Sequence, residues 1–247
     1  MTRRLLRLAL TAALFVVAVP VSAFAQTGTV IDWGPDSYAW ETNYNTVTHL
    51  TAPGSQLSSV GVINGFLGPL SAFDPNTPGT EYTYYLSGFT TALGTQVTAG
   101  PTLSVYKTVY TGGNIQIWAG SPRDAAFGTN PPNATVPSTF VNGSLFLAGV
   151  IPTVTVTVTR FNSTGAYANG NIDSGDPPNG LWTGGSAIGL LSAGGNPCPF
   201  RLTGGWDMRP QDVLTGYVAQ YDGKIDLNCP TPAQPSTWGK IKSSYRD

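Results

Sequence analysis

The segment that decides the fold runs from Thr80 to Arg160. It reads TEYTYYLSGF (80–89), TLSVYKTVY (102–110), GGNIQIWAG (112–120) and STFVNGSLFLAGVIPTVTVTVTR (138–160). These runs are rich in Tyr, Val, Ile, Thr and Trp, whose branched or flat side chains suit a pleated surface, and Gly, Pro and Asn punctuate them. The clearest is the last, where Val154, Val156 and Val158 alternate with Thr153, Thr155, Thr157 and Thr159. A period of two sends the valines to one face and the threonines to the other, a pattern no helix can use. The segment therefore predicts consecutive antiparallel strands, each with one buried and one wet face.

Toward the N-terminus the strand pattern continues in TGTVIDW, SYAWE, NTVTHL and SSVGVING, separated by turn signals at Gly34-Pro35-Asp36 and at Asn43 to Asn45. Ahead of them, residues 1–25 read as a secretory signal peptide. Arg3, Arg4 and Arg7 form a basic start, Leu8 to Val21 an apolar run, and Ala23-Phe24-Ala25 a small-x-small cleavage site before Gln26. The apolar run is too short for a good membrane span. No Cys follows the cleavage site, so no lipid anchor is expected, and the mature chain is expected to be exported with no transmembrane segment.

Composition bounds the function. Removal of three arginines leaves nine basic residues against thirteen acidic ones, a formal charge of −4. With no basic stripe, nucleic acid is not an expected partner. Only 10% of the residues are charged, against about 25% in ordinary domains, so the wet strand faces must be built from Thr, Ser, Asn, Gln and Gly. Acids and bases for catalysis are correspondingly scarce.

Beyond Arg160 the sequence loosens. GAYANGNIDSGDPPNG reads as a Gly-, Asn- and Asp-rich loop, and Asp222-Gly223, between two alternating runs, reads as a two-residue hairpin turn. Cys198 and Cys229 are the only cysteines. In an exported chain they are expected to form a disulfide. The expected architecture is one all-β domain, an antiparallel, jelly-roll-like β-sandwich over residues 26–229. Residues 230–247 follow as a Pro-rich linker, PTPAQPS, and a short tail, TWGKIKSSYRD. The stretch Ser121 to Ser138 carries four prolines and reads as a long loop.

No catalytic constellation stands out. His49 is the only histidine and has no nucleophile signature near it. Glu41 and Glu81 are the only glutamates; a glycosidase would need a carboxylate pair about 5–10 Å apart, which makes a jelly-roll glycosidase a minor alternative. Asn169, Asn171, Asp173 and Asp176, in NGNIDSGD, alternate hard oxygen ligands with turn-forming glycines, so they are the candidate metal ligands and calcium the candidate ion. They lack the full D-x-D-x-D-G pattern and the distal Glu of an EF-hand. Otherwise no cofactor is expected. Tyr82, Tyr84, Tyr85, Tyr106, Tyr110 and Trp118 are candidates for a sugar-stacking platform, although Tyr82 and Tyr84 fall on one strand face and Tyr85 on the other.

Parts of the central block resemble the extracellular β domains of bacterial PEP-CTERM surface proteins. The resemblance is carried by Tyr82-Thr83-Tyr84 with Ser87-Gly88, by Gly113 to Trp118, by Phe140 to Leu147, and by Gly184-Gly185-Ser186-Ala187. It covers about half of the mature chain and consists mostly of strand and turn chemistry. The Pro-Glu-Pro motif, the hydrophobic C-terminal helix and the basic end of that family are not found, so its membrane sorting is not implied. Together these readings lead to the expectation of a secreted, extracellular or cell-surface bacterial protein, non-catalytic, with a structural or adhesive role. A carbohydrate-binding module, calcium-assisted or not, is the alternative. Polysaccharide or other surface proteins are the expected partners.

Overall fold

The computed structural model describes residues 27–127 and 137–229. The proposed signal peptide and C-terminal tail lie outside them. Among the described residues sixteen strands follow one another: β1 (Thr27–Trp33), β2 (Ser37–Glu41), β3 (Tyr44–Asn45), β4 (Leu50–Thr51), β5 (Gln56–Val62), β6 (Gly65–Phe66), β7 (Glu81–Thr90), β8 (Thr95–Ala99), β9 (Leu103–Gly120), β10 (Ser144–Phe161), β11 (Tyr167–Asp173), β12 (Gly180–Gly184), β13 (Ser192–Ala193), β14 (Asn196–Pro197), β15 (Pro199–Asp207) and β16 (Ala219–Asn228). The expected all-β, antiparallel character holds throughout. The quoted runs of the central block supply β7, β9 and β10; TLSVYKTVY and GGNIQIWAG join into the single strand β9, and β8 lies between the quoted runs.

The finer expectation of two stacked sheets is not what the pairings show. One sheet runs β10-β9-β7-β5-β2-β16-β15-β11 and returns to β10, so eight antiparallel strands close into a barrel. Alternation tells only which face of a strand is buried, and sandwich and barrel satisfy it equally. The difference lies in whether strands distant in sequence meet, as β16 meets β2. Several remaining strands lengthen the staves. β1 takes over from β2 beside β16, β12 takes over from β11 between β10 and β15, and β8 takes over from β7 beside β9.

An eight-stranded barrel is just wide enough for its own side chains to fill. The inward set includes Val154, Val156 and Val158 of β10, Ile115 and Ile117 of β9, and Leu202 and Trp206 of β15, all buried in one cluster. Trp33 anchors it, with ring centroids 4.6 Å from Tyr84 and 5.6 Å from Tyr221. A second cluster of Trp40, Val60, Tyr85, Phe140 and Tyr217 covers the outer face of β2, β5 and β7. That stretch of wall is therefore buried on both sides, which explains why Tyr82 to Leu86 show no alternation in burial. Cys198 and Cys229 are joined, Cα to Cα 4.7 Å, as expected.

Three local expectations change. Asp222-Gly223 is no turn: both residues lie inside β16, where Gly223 faces Gly204 across the β15 pairing. Both glycines make room for the Tyr221 ring, since a Cβ on Gly204 or Gly223 would come within 2.4 or 2.7 Å of it. NTVTHL forms a short hairpin instead of one strand. The Asn45 carboxamide accepts the Val47 and Thr48 N–H groups, and His49 takes the left-handed φ of 58° that turns the chain back. Finally, Asn169, Asn171 and Asp173 lie on strand β11 and not in a loop.

Candidate functional site

Alternation along β11 sends Ile172 into the barrel and Asn169, Asn171 and Asp173 outward. The neighbouring strands present their own outward positions in register: Asn171 pairs with Gly205, which pairs with Asp222, and Asp207 pairs with Gln220. Gly205 has no side chain and its missing Cβ would meet nothing closer than 3.9 Å, so the surface dips there. The result is an open trough of about 480 Å³. Its polar lining comes from Asn169, Asp207, Arg209, Gln220 and Asp222, with Pro35 and the Tyr167 ring as apolar flanks.

The lining is held in place from behind. Arg209 Nε donates to both carboxylate oxygens of Asp207, at 3.0 and 2.8 Å, and lies 3.1 Å from Asp212. This guanidinium holds the Asp207 carboxyl below its usual range. Gln220 donates to the Pro35 carbonyl at 2.7 Å, and Tyr167 Oη donates to the Trp206 carbonyl. Burial and the nearby Asp207 charge push the Tyr167 hydroxyl up to about 12, so it stays a neutral donor. Asp222 is raised by burial and by Asp32. Among the described residues no serine, cysteine or histidine lines the trough. Its lining offers fixed donors and acceptors, with Asp207 and Asp222 as its carboxylates.

A second depression of about 210 Å³ adjoins it along β11, lined by Lys107, Thr155, Thr157, Asn171, Asp173 and Gly175. The four candidate metal ligands thus divide along the face. Asn169 belongs to the trough and Asn171 to the second depression. Asp173 is gripped by Arg201, Nε to Oδ1 at 2.9 Å and Nη2 to Oδ2 at 2.6 Å, which holds its carboxyl below the usual range. Asp176 lies 3.9 Å from the same guanidinium. Among the described residues no group of three or more His, Cys, Asp or Glu is arranged to hold a metal ion.

The other sequence candidates lie elsewhere. Tyr82, Tyr84, Tyr85 and Tyr110 are buried, and Tyr106 and Trp118 are half-buried, so this set forms no exposed platform. Glu81 is buried, and one carboxylate oxygen accepts the N–H groups of Asp124 and Ala125 at 2.7 and 3.1 Å. Its role there is to fasten the start of the 121–138 loop to the barrel rim. Glu41 faces a small cavity of about 20 Å³, which Tyr44, His49, Tyr106, Thr108 and Arg160 also line. Burial raises Glu41 to about 6. His49 Nδ1 lies 3.2 Å from the Tyr44 hydroxyl, and burial and Arg160 lower its pKa.

The trough itself was missed by sequence reading. Gly205, Asp207, Gln220 and Asp222 come from two strands whose register nothing local specifies. The only available signal was the alternation of Asn169 and Asn171. No family model, curated protein or solved structure matches the chain. Among the described residues no helix is long and apolar enough to cross a membrane.

Proposed function

We propose that this is a non-catalytic, exported surface or matrix protein that works by adhesion, and that it grips an uncharged polysaccharide along the outer face of β10, β11, β15 and β16. The observation that carries this reading is the trough with its adjoining depression. Together they offer amides, hydroxyls and a braced Asp–Arg pair along an extended polar face. Sugar hydroxyls are both donors and acceptors, and a row of preset partners suits them because little side-chain freedom is lost on binding. An elongated, open site also suits a polymer better than a small molecule, which prefers to be enclosed. The two glutamates lend the glycosidase alternative no support: Glu41 faces a cavity of only about 20 Å³, and Glu81 is occupied by backbone N–H groups.

The test is binding of the purified exported protein to a broad polysaccharide panel, with calcium and again with chelator. The expected result is saturable binding to one neutral glycan class, weakened tenfold or more by combined Asn169→Ala and Gln220→Ala. Loss in chelator would add calcium to the site. A folded sample that binds no glycan under either condition overturns the polysaccharide reading.

A further inference from the structure

Strand β8 is joined to the sheet on one side only. It pairs with β9 from Thr95–Thr108 to Ala99–Ser104, and among the described residues no strand lies against its other edge. The reason is geometric: β8 extends the stave of β7 beyond the barrel wall, whereas the neighbouring stave, β5, begins at Gln56, opposite Thr90. The Gly100 N–H donates to Leu103 O across the β8–β9 turn. In an antiparallel ladder alternate residues point their backbone groups to opposite sides. Gly100, Thr98 and Gln96 thus bond to β9, and the N–H and C=O groups of Val97 and Ala99 face outward.

Soluble proteins usually blunt such an edge with a charge, a proline or a bulge. Here the strand reads TQVTA, with none of these. Val97 is 48% exposed and Leu93, just before the strand, 73%. We propose that β8 pairs with β8 of a second copy of this chain. The occupant follows from the strand's own chemistry. Antiparallel pairing about a two-fold axis sets Val97 opposite Val97, both with outward-facing backbone groups, so each donates to and accepts from the other. No charge on the strand opposes its own image. Each copy uses the same edge, related to its partner's by the two-fold axis, so the assembly closes as a dimer and does not propagate. The inference is independent of the polysaccharide reading; a dimer would also give an adhesive protein two trough sites per particle.

The pairing is short, so association depends on concentration, and it is tested by sedimentation over a hundredfold concentration range together with oxidative trapping. Val97→Cys is expected to give a covalent dimer in air without added cross-linker, because the two Cα atoms lie about 5.5 Å apart in such a pair. Thr98→Cys, whose side chain points to the opposite sheet face and has no self-partner, is expected to give little. Val97→Lys is expected to keep the sample monomeric at concentrations where the parent dimerises, with an unchanged melting temperature. A parent that stays monomeric throughout, or equal trapping at positions 97 and 98, overturns the proposal, as does a ladder of species beyond the dimer.

Discussion

Glu41 shows how one misplaced-looking residue is explained by its surroundings. Ser37, Ala39 and Glu41 are the inward positions of β2, so the barrel's own alternation drives a carboxyl inside. One of its oxygens has no hydrogen-bond partner, and neither has the neighbouring Tyr110 hydroxyl. A carboxylate so placed lacks the hydration it has in water, and its charged form is disfavoured. Its folded value, about 6, lies above the ordinary 4.5. The folded state therefore holds this proton more tightly, and the associated stability is present at low pH and is lost as pH rises from about 4.5 through about 6. The loss is on the order of 2 kcal/mol. Glu41→Gln removes the ionisation. Urea denaturation at pH 4.5 and pH 7 should show the parent losing that amount relative to the variant between the two values. Parallel behaviour of the two proteins would mean that Glu41 ionises there without cost.

At the scale of the element, the Gly204–Gly223 pair is the sharpest case. A Cβ on Gly204 would come within 2.3 Å of the Asp222 carbonyl oxygen and 2.4 Å of the Tyr221 ring, and the backbone of a paired strand cannot retreat. Gly204→Ala should cost about 2–3 kcal/mol. Gly205→Ala, one residue along and facing the open trough, should be nearly neutral. Equal effects in chemical denaturation would show that strand propensity and not crowding controls this site. The same pair explains a failure of sequence reading. Asp222-Gly223 carries a strong local turn signal, but pairing with both β1 and β15 keeps β16 straight through it. Local chemistry is reliable where it agrees with tertiary need, as in the TVTVTVT run of β10. It is overridden where a glycine serves an aromatic ring on its own strand. For the same reason the candidate site was only half legible. Asn169 and Asn171 stood out as candidate calcium ligands in a loop and not as one face of a strand, and Asp207, Gln220 and Asp222 join them only through a cross-strand register that no neighbouring residue announces.

For the whole molecule, stability depends on how the barrel is shut. β9 and β10, sixteen paired residues long, form a local hairpin that needs no help from the chain ends. Closure is different: β16 must find β2 and β1, from the far end of the chain, and such distant pairings carry the largest ordering cost before they return any contact. The disulfide acts on the same closing strand from its β15 side. Cys229 lies one residue beyond β16, and Cys198 one residue before β15, so the bond clamps the closing strand to its neighbour. With the cysteines 31 positions apart in sequence, the chain-entropy contribution is about 3.5–4 kcal/mol. Replacing both cysteines with alanine should lower the free energy of unfolding by roughly that amount. Hydrogen exchange then locates the loss: protection should fall first in β1, β2 and β16 and last in β9 and β10, because opening the barrel at its closure leaves the long hairpin intact. A uniform fall across all strands would mean that the barrel opens as one cooperative unit and that the bond does not act at a local seam.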